Sequence, residues 1–218
     1  MNSVWKRVLG SGLLAASVLT FGTSANSHDG VVHKNLTEAL KHQEETSPNT
    51  AGFPEIKGGD FKLLDQFGRE RTSASPEGQY QLLFFGYANC KAICSVALPS
   101  MSAAIDILDD KKVAVTPLLV TVDPERDTVD NMAKPLKALH PRMVGLTGSE
   151  AALQAAYDAF QVQKSLVYEH PEEGPIYAHG SFIYLLGPDG DFKTLMPPIL
   201  APERIAELTL EYISGTKS

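Results

Sequence analysis

The sequence predicts an α/β fold: a mixed sheet with helices on both faces and an added N-terminal β-hairpin. Three observations predict it. Two nearly continuous apolar runs, 80–86 and 113–122, suit strands buried on both faces. Segments with apolar residues at helical spacing follow them, so strand and helix alternate, which implies parallel crossovers. The last third carries a strong turn, Pro188-Asp189-Gly190, that folds its flanks into an antiparallel hairpin.

Each element has its own warrant. Residues 59–65 and 70–72 flank Gln66-Phe67-Gly68, a hairpin with a glycine-containing turn. Tyr80 to Gly86 is the first buried strand, and a loop with both cysteines follows it. Met101 to Leu108 is helical by spacing. Val113 to Val122 is the second buried strand, interrupted by Pro117. Thr128 to Leu139 is a helix, capped by Asp127 or Thr128, with Pro135 as a kink or break. Met143 to Leu146 is a short strand, and Ser149 caps an alanine-rich helix that ends at Phe160. Gln161 to Tyr168 is a strand, and Ile176 to Leu186 is one long strand or two. Asp191 to Leu195 closes the hairpin, and Pro202 to Ile213 is an amphipathic helix with proline in its first turn. This order is thioredoxin-like.

Composition narrows the function. The 218 residues carry 19 Lys plus Arg against 26 Asp plus Glu, a formal charge of −7. Nucleic-acid binding needs a basic face, and none is present. The two cysteines, Cys90 and Cys94, are too few for a disulfide framework or a four-thiolate zinc site. Residues 1–25 read as a secretory signal: Lys6 and Arg7, then an uncharged stretch from Val8 to Phe21, then the small residues Thr23-Ser24-Ala25. That stretch is shorter than the ~20 apolar residues that span a bilayer. A cleaved signal is the expectation, with a retained membrane tether as the alternative. Either way the domain is exported, to the periplasm of a bacterial cell. Removing Lys6 and Arg7 takes the charge from −7 to −9. Residues 26–50 form a polar linker holding His28, His33 and His42, either a solvated tail or a metal-capturing arm, and the domain proper occupies 51–218.

Cys90 and Cys94 follow a buried strand and precede a helix. Ligand sites of open α/β sheets lie beyond the carboxyl ends of strands, and a helix N-terminus favours thiolate. In a helical loop, residues i and i+4 share a face with Cα atoms ~6 Å apart, within disulfide range. The same spacing lets two thiolates grip one soft metal, Cu(I) before zinc. Pro99 disfavours a helical Leu98, which predicts a loose turn around the cysteines. The residues alone leave a plain disulfide or two buried thiols equally open.

Two sulfurs leave a metal incompletely coordinated, and histidine is the natural complement. His179, in Ala178-His179-Gly180-Ser181-Phe182, precedes an apolar run. A thioredoxin-like sheet brings the start of that strand near the cysteine loop, although on pattern alone a lone histidine there is more often a surface or satisfied core residue. His140 and His170 each precede proline and read as loop residues, with His170 a reserve ligand. Asp123, at the end of the second buried strand, is a candidate outer ligand or a hydrogen-bond partner that orients His179.

Four motifs now resemble one family, the SCO/SenC proteins. Phe85-Gly86-Tyr87-Ala88-Asn89-Cys90-Lys91-Ala92-Ile93-Cys94 resembles their F-G-Y-T-x-C-P-x-x-C-P loop. Val122-Asp123-Pro124-Glu125-Arg126-Asp127-Thr128 is similar to V-D-P-E-R-D-T, and Gly145-Leu146-Thr147-Gly148 to G-L-T-G. His179 to Leu185, followed by Pro188-Asp189-Gly190, resembles their H-S-(S/T)-x-x-Y-L strand. The resemblance spans about residues 54–214. It implies a thioredoxin-like fold with an extra hairpin, and a copper ion bound by Cys90, Cys94 and His179. It implies a metallochaperone whose acceptor is a cytochrome c oxidase subunit, where family members deliver copper to the binuclear centre. The alternative it carries is a thiol–disulfide oxidoreductase or redox sensor, with Cys90 as nucleophile and Cys94 resolving. A peroxidase would need one cysteine in its own activating pocket, and no such pattern is present. Lys91 and Ser95 stand where the family places proline after each cysteine, which loosens the loop and sets a cation beside Cys90.

Overall fold

The computed structural model describes residues 56, 58–76, 78–88, 94–170 and 174–215, all within the unit Phe53–Ser218. The expected signal, the linker with its three histidines, and Cys90 with Lys91 lie outside the described residues. In chain order the elements are β1 (Lys62–Asp65), β2 (Glu70–Thr72), β3 (Tyr80–Gly86), α1 (Cys94–Asp110) and β4 (Val115–Thr121). Then come α2 (Val129–Leu139), β5 (Val144–Thr147), α3 (Glu150–Ala159), β6 (Lys164–His170) and β7 (Gly174–His179). β8 (Ile183–Leu186), β9 (Phe192–Met196) and α4 (Pro202–Ser214) complete the chain. Among the described residues, no helix is long and apolar enough to cross a membrane.

Seven strands form one sheet in the order β2-β1-β5-β4-β3-β8-β9. The centre is parallel, β3 with β4 and β4 with β5, because a helix connects each pair. β8 runs antiparallel to β3 with Phe84 opposite Ile183, and β9 returns beside β8. The expected mixed sheet with an added N-terminal hairpin is therefore present.

Side-chain alternation splits the core in two. Leu82, Phe84, Leu119, Ile183 and Leu185 face one side, where α1, α2 and α4 bury Leu98, Met101, Met132, Leu136 and Ile205. Leu83, Phe85, Leu118, Val120, Tyr184 and Leu186 face the other, where α3 supplies Leu153, Tyr157 and Phe160. Helices lie on both faces, as the apolar runs require.

Several expectations need correction. α1 begins at Cys94 and passes through Pro99 without a break, so Leu98 is helical. Burial of Ala97, Leu98 and Met101 against the sheet outweighs the preference of a residue before proline for extended backbone. Pro135 likewise sits inside an unbroken α2, which its buried Met132 and Leu136 hold to the sheet. Pro117 does not interrupt β4. It lies where β3 is the only neighbour, since β5 joins at Leu118, and a missing N–H is tolerated at such a position. The segment 164–179 is a separate two-stranded hairpin, β6 with β7, outside the main sheet. Strand propensity does not say which sheet a strand joins.

Candidate functional site

The carboxyl ends of β3 and β4 define the rim of the site. Val122 N–H donates to the Gly86 carbonyl at 2.7 Å, which keeps the two exits side by side. β3 continues into Tyr87 and Ala88, both buried. Cys90 and the side chain of Cys94 are outside the described residues, but the Cys94 backbone opens α1, with no acidic residue in its first turn. A helix N-terminus without nearby carboxylates favours a thiolate.

His179 ends β7 and is half-buried. Its ring meets the Phe84 ring edge-on, centroids 6.1 Å apart, and the Tyr87 ring at 6.2 Å. The structure thus brings His179 to the strand that leads into the cysteine loop. Nδ1 lies 2.9 Å from the Gly180 carbonyl oxygen. A carbonyl only accepts, so Nδ1 carries the hydrogen and the lone pair sits on Nε2. Burial pushes the His179 pKa below its ordinary value, against the opposing pull of the Gly180 carbonyl. A neutral imidazole whose second nitrogen donates to a carbonyl is the form that ligates a metal. The donor chemistry of this side chain fits a copper ion.

Asp123 does not orient His179. It is buried and its carboxylate pairs with the Arg126 guanidinium instead. Asp127 is not the cap of α2. Thr128 holds that position, without a side-chain cap bond. Asp127 is buried and its Oδ2 accepts from the Ala88 N–H and the Thr121 hydroxyl, each at 2.8 Å. Burial raises its pKa, opposed by those two donors. The Tyr157 hydroxyl donates to the Thr121 carbonyl at 2.6 Å, tying α3 to the same rim.

The other described histidines stand apart. His140 is a loop residue as expected, just past the end of α2, and it is buried: it accepts the Arg142 N–H at Nδ1 and faces Asp106 through Nε2 at 3.3 Å. His170 lies opposite Gly174, at the far end of the hairpin from the Lys164–His179 pair. Six strand residues separate the two ends, about 20 Å, which takes His170 out of reach as a reserve ligand. Sequence reasoning missed Arg126, whose guanidinium reaches the Pro175 carbonyl of β7 at 2.7 Å and lies over the Tyr87 ring. The sequence signals were its place in the acidic turn after β4 and in the segment similar to V-D-P-E-R-D-T.

Comparison with known proteins settles the family. A model of the SCO1/SenC family matches residues 49–214. This chain belongs to the SCO1/SenC family. The mitochondrial SCO2 homolog of Danio rerio is 43% identical over 136 residues, 62% of this chain and 49% of that protein. The matched region thus spans about half the length of that relative. The crystal structure of Arabidopsis thaliana ScoI with copper bound has a TM-score of 0.68 and 29% identity, covering 72% of this chain and 98% of that one. Bradyrhizobium japonicum ScoI with copper bound gives 0.64 and 30%, covering 72% and 99%. These family neighbours share the thioredoxin-like fold expected from the sequence.

Proposed function

We propose that this chain is an exported copper metallochaperone that holds Cu(I) or Cu(II) through Cys90, Cys94 and His179 and passes it to a cytochrome c oxidase subunit. The observation that carries this reading is the seat of His179. A half-buried, neutral imidazole, its Nδ1 committed to the Gly180 carbonyl, packs against the Phe84 and Tyr87 side chains of the strand that runs into C-x-x-x-C. Two thiolates and one imidazole are a soft donor set that suits copper. Family membership and two copper-bound relatives of about 30% identity support the same cargo. Two thiolates with Cu(II) sum to zero charge and with Cu(I) leave −1.

The test is titration of Cu(I) and Cu(II) into the reduced chain against a competing chelator, with Cys90→Ser and His179→Ala alongside. One tight equivalent, lost in both variants, is the expected result. Equal affinity in wild type and His179→Ala would remove the histidine from the site. A thiol–disulfide reading has one observation in its favour, the position of Cys94 at the start of α1. It makes no use of His179, so it predicts full activity in His179→Ala cells, whereas copper delivery predicts loss.

A further inference from the structure

We propose that Arg126 and Asp127 form a brace that sets the spacing between the two segments carrying the copper ligands. Asp127 holds the entry to the cysteine loop, and Arg126 holds the strand that ends in His179. The inference rests on the copper-site reading above and deepens it, by naming what keeps the ligand segments in register.

The two residues are adjacent in the loop after β4, and their side chains reach opposite partners. Asp127 Oδ2 accepts the Ala88 N–H and the Thr121 hydroxyl, both groups otherwise buried. This fixes the backbone two residues before Cys90 to the end of β4. Arg126 directs Nε at the Asp123 carboxylate and donates from Nη2 to the Pro175 carbonyl at 2.7 Å. Its guanidinium lies 5.4 Å over the Tyr87 ring. Pro175 is on β7, the strand that carries His179. One planar cation therefore touches a carboxylate from the β4 loop, the backbone of the histidine strand and a ring beside the cysteine loop. Only a guanidinium has both the fixed fork of donors and the flat face for this.

The surroundings are shaped to the brace. Gly174 has φ +73°, and a Cβ there would lie 3.2 Å from Arg126 Nη1. The loop itself is closed by the Asp127 N–H donating to the Asp123 carbonyl at 2.9 Å. Asp123 is 1% exposed while the Arg126 side chain is 34% exposed, so the buried carboxylate is paired by a guanidinium that still reaches water. Neither residue of the brace belongs to the proposed ligand set. Arg126 and Asp127 are positioning residues that hold the Tyr87–His179 ring contact at 6.2 Å.

The experiment uses the full chain with Arg126→Met, Arg126→Lys, Asp127→Ala and Asp127→Asn. Copper affinity is read by chelator competition, and the Cu(II)–thiolate absorption band by spectroscopy. Amide hydrogen exchange is measured on the reduced, metal-free proteins. Arg126→Met and Asp127→Ala are expected to weaken copper binding about 10- to 100-fold and to shift the band, as loss of ligand-supporting partners does elsewhere. Arg126→Lys keeps the charge but not the fork and is expected to behave like Arg126→Met. Asp127→Asn keeps an acceptor for Ala88 and is expected to bind within a few fold of wild type. Exchange should speed up at Ala88 in Asp127→Ala and along 174–179 in Arg126→Met. Wild-type affinity, spectrum and exchange in both truncations would overturn the brace, and so would full binding by Arg126→Lys. If wild type itself takes up no copper, the copper reading fails, and exchange alone decides: unchanged rates overturn the brace, faster rates at both segments support it. If Asp127→Ala does not fold, Arg126→Met and Asp127→Asn still decide.

Discussion

Replacing Asp65 with asparagine tests how the added hairpin is built. The Asp65 side chain is fully buried, yet it is the acceptor for four donors. Oδ1 takes the backbone N–H groups of Phe67 at 2.9 Å and Arg69 at 3.0 Å, while Oδ2 takes Arg69 Nε at 3.0 Å and Arg71 Nε at 3.1 Å. Asparagine can keep the first pair through its single oxygen, but its amide nitrogen then faces two guanidinium donors. Hydrogen bonds to charged groups are worth about 1.5–3 kcal/mol each. Arg69 is 62% exposed and regains water readily, whereas Arg71 is 23% exposed and regains less. The expected net loss is therefore about 2–3 kcal/mol, close to one such bond rather than two. For a domain of this size that is a fall of roughly 5–10 °C in Tm. The pH dependence has a definite sign. Burial pushes the Asp65 carboxyl up, but the Arg69 and Phe67 amides and both guanidiniums together hold it below the ordinary value of 3.8. Its ionisation therefore stabilises the fold above 3.8, and that stability is lost as pH falls through the lower folded value. Thermal melts of wild type and Asp65→Asn between neutral and strongly acid pH are the assay. Equal Tm values at neutral pH, or a gap that fails to shrink on acidification below 3.8, would refute the reasoning.

Three further outcomes follow from the same contacts. A Cβ at Gly145 would lie 2.6 Å from Met132 Cε and closer still to Leu136, so Gly145→Ala should push α2 off β5 and cost about 1–3 kcal/mol in denaturant unfolding. Tyr157→Phe removes the 2.6 Å bond to the Thr121 carbonyl and should cost about 1–2 kcal/mol by the same measurement, with an unchanged fold by circular dichroism. The His179 ring of the metal-free chain should titrate below 6.5 by NMR, because burial disfavours the cation. That shift contributes stability above 6.5 that is lost as pH falls, and a midpoint at or above 6.5 would contradict the buried seat described for the ring.

The sequence by itself determined the sheet and its helices. Continuous apolar runs at Tyr80–Gly86 and around Val115–Thr121 need burial on both faces, and only helices on both sides provide it. Glycine-bearing turns at Gly68 and Gly190, with φ +75° and +80°, marked the β1–β2 and β8–β9 hairpins, because a left-handed residue there excludes most side chains. Ser149 was legible as a cap, since its hydroxyl has one local task, accepting the Ala152 N–H. The family resemblance singled out Cys90, Cys94 and His179, which spacing alone left open. Tertiary structure decided what depends on partners distant in the chain. Burial carried α1 through Pro99 and α2 through Pro135, where local preference allowed a loose turn and a break. Asp127 looked like a cap and became a buried acceptor for Ala88, 39 residues away. Arg126 looked like one charge in an acidic turn and reaches Pro175, 49 residues away. A sequence pattern reports periodicity and local chemistry. Which groups meet across the rim of a sheet is set by packing, and the desolvation of a buried carboxylate makes those meetings obligatory.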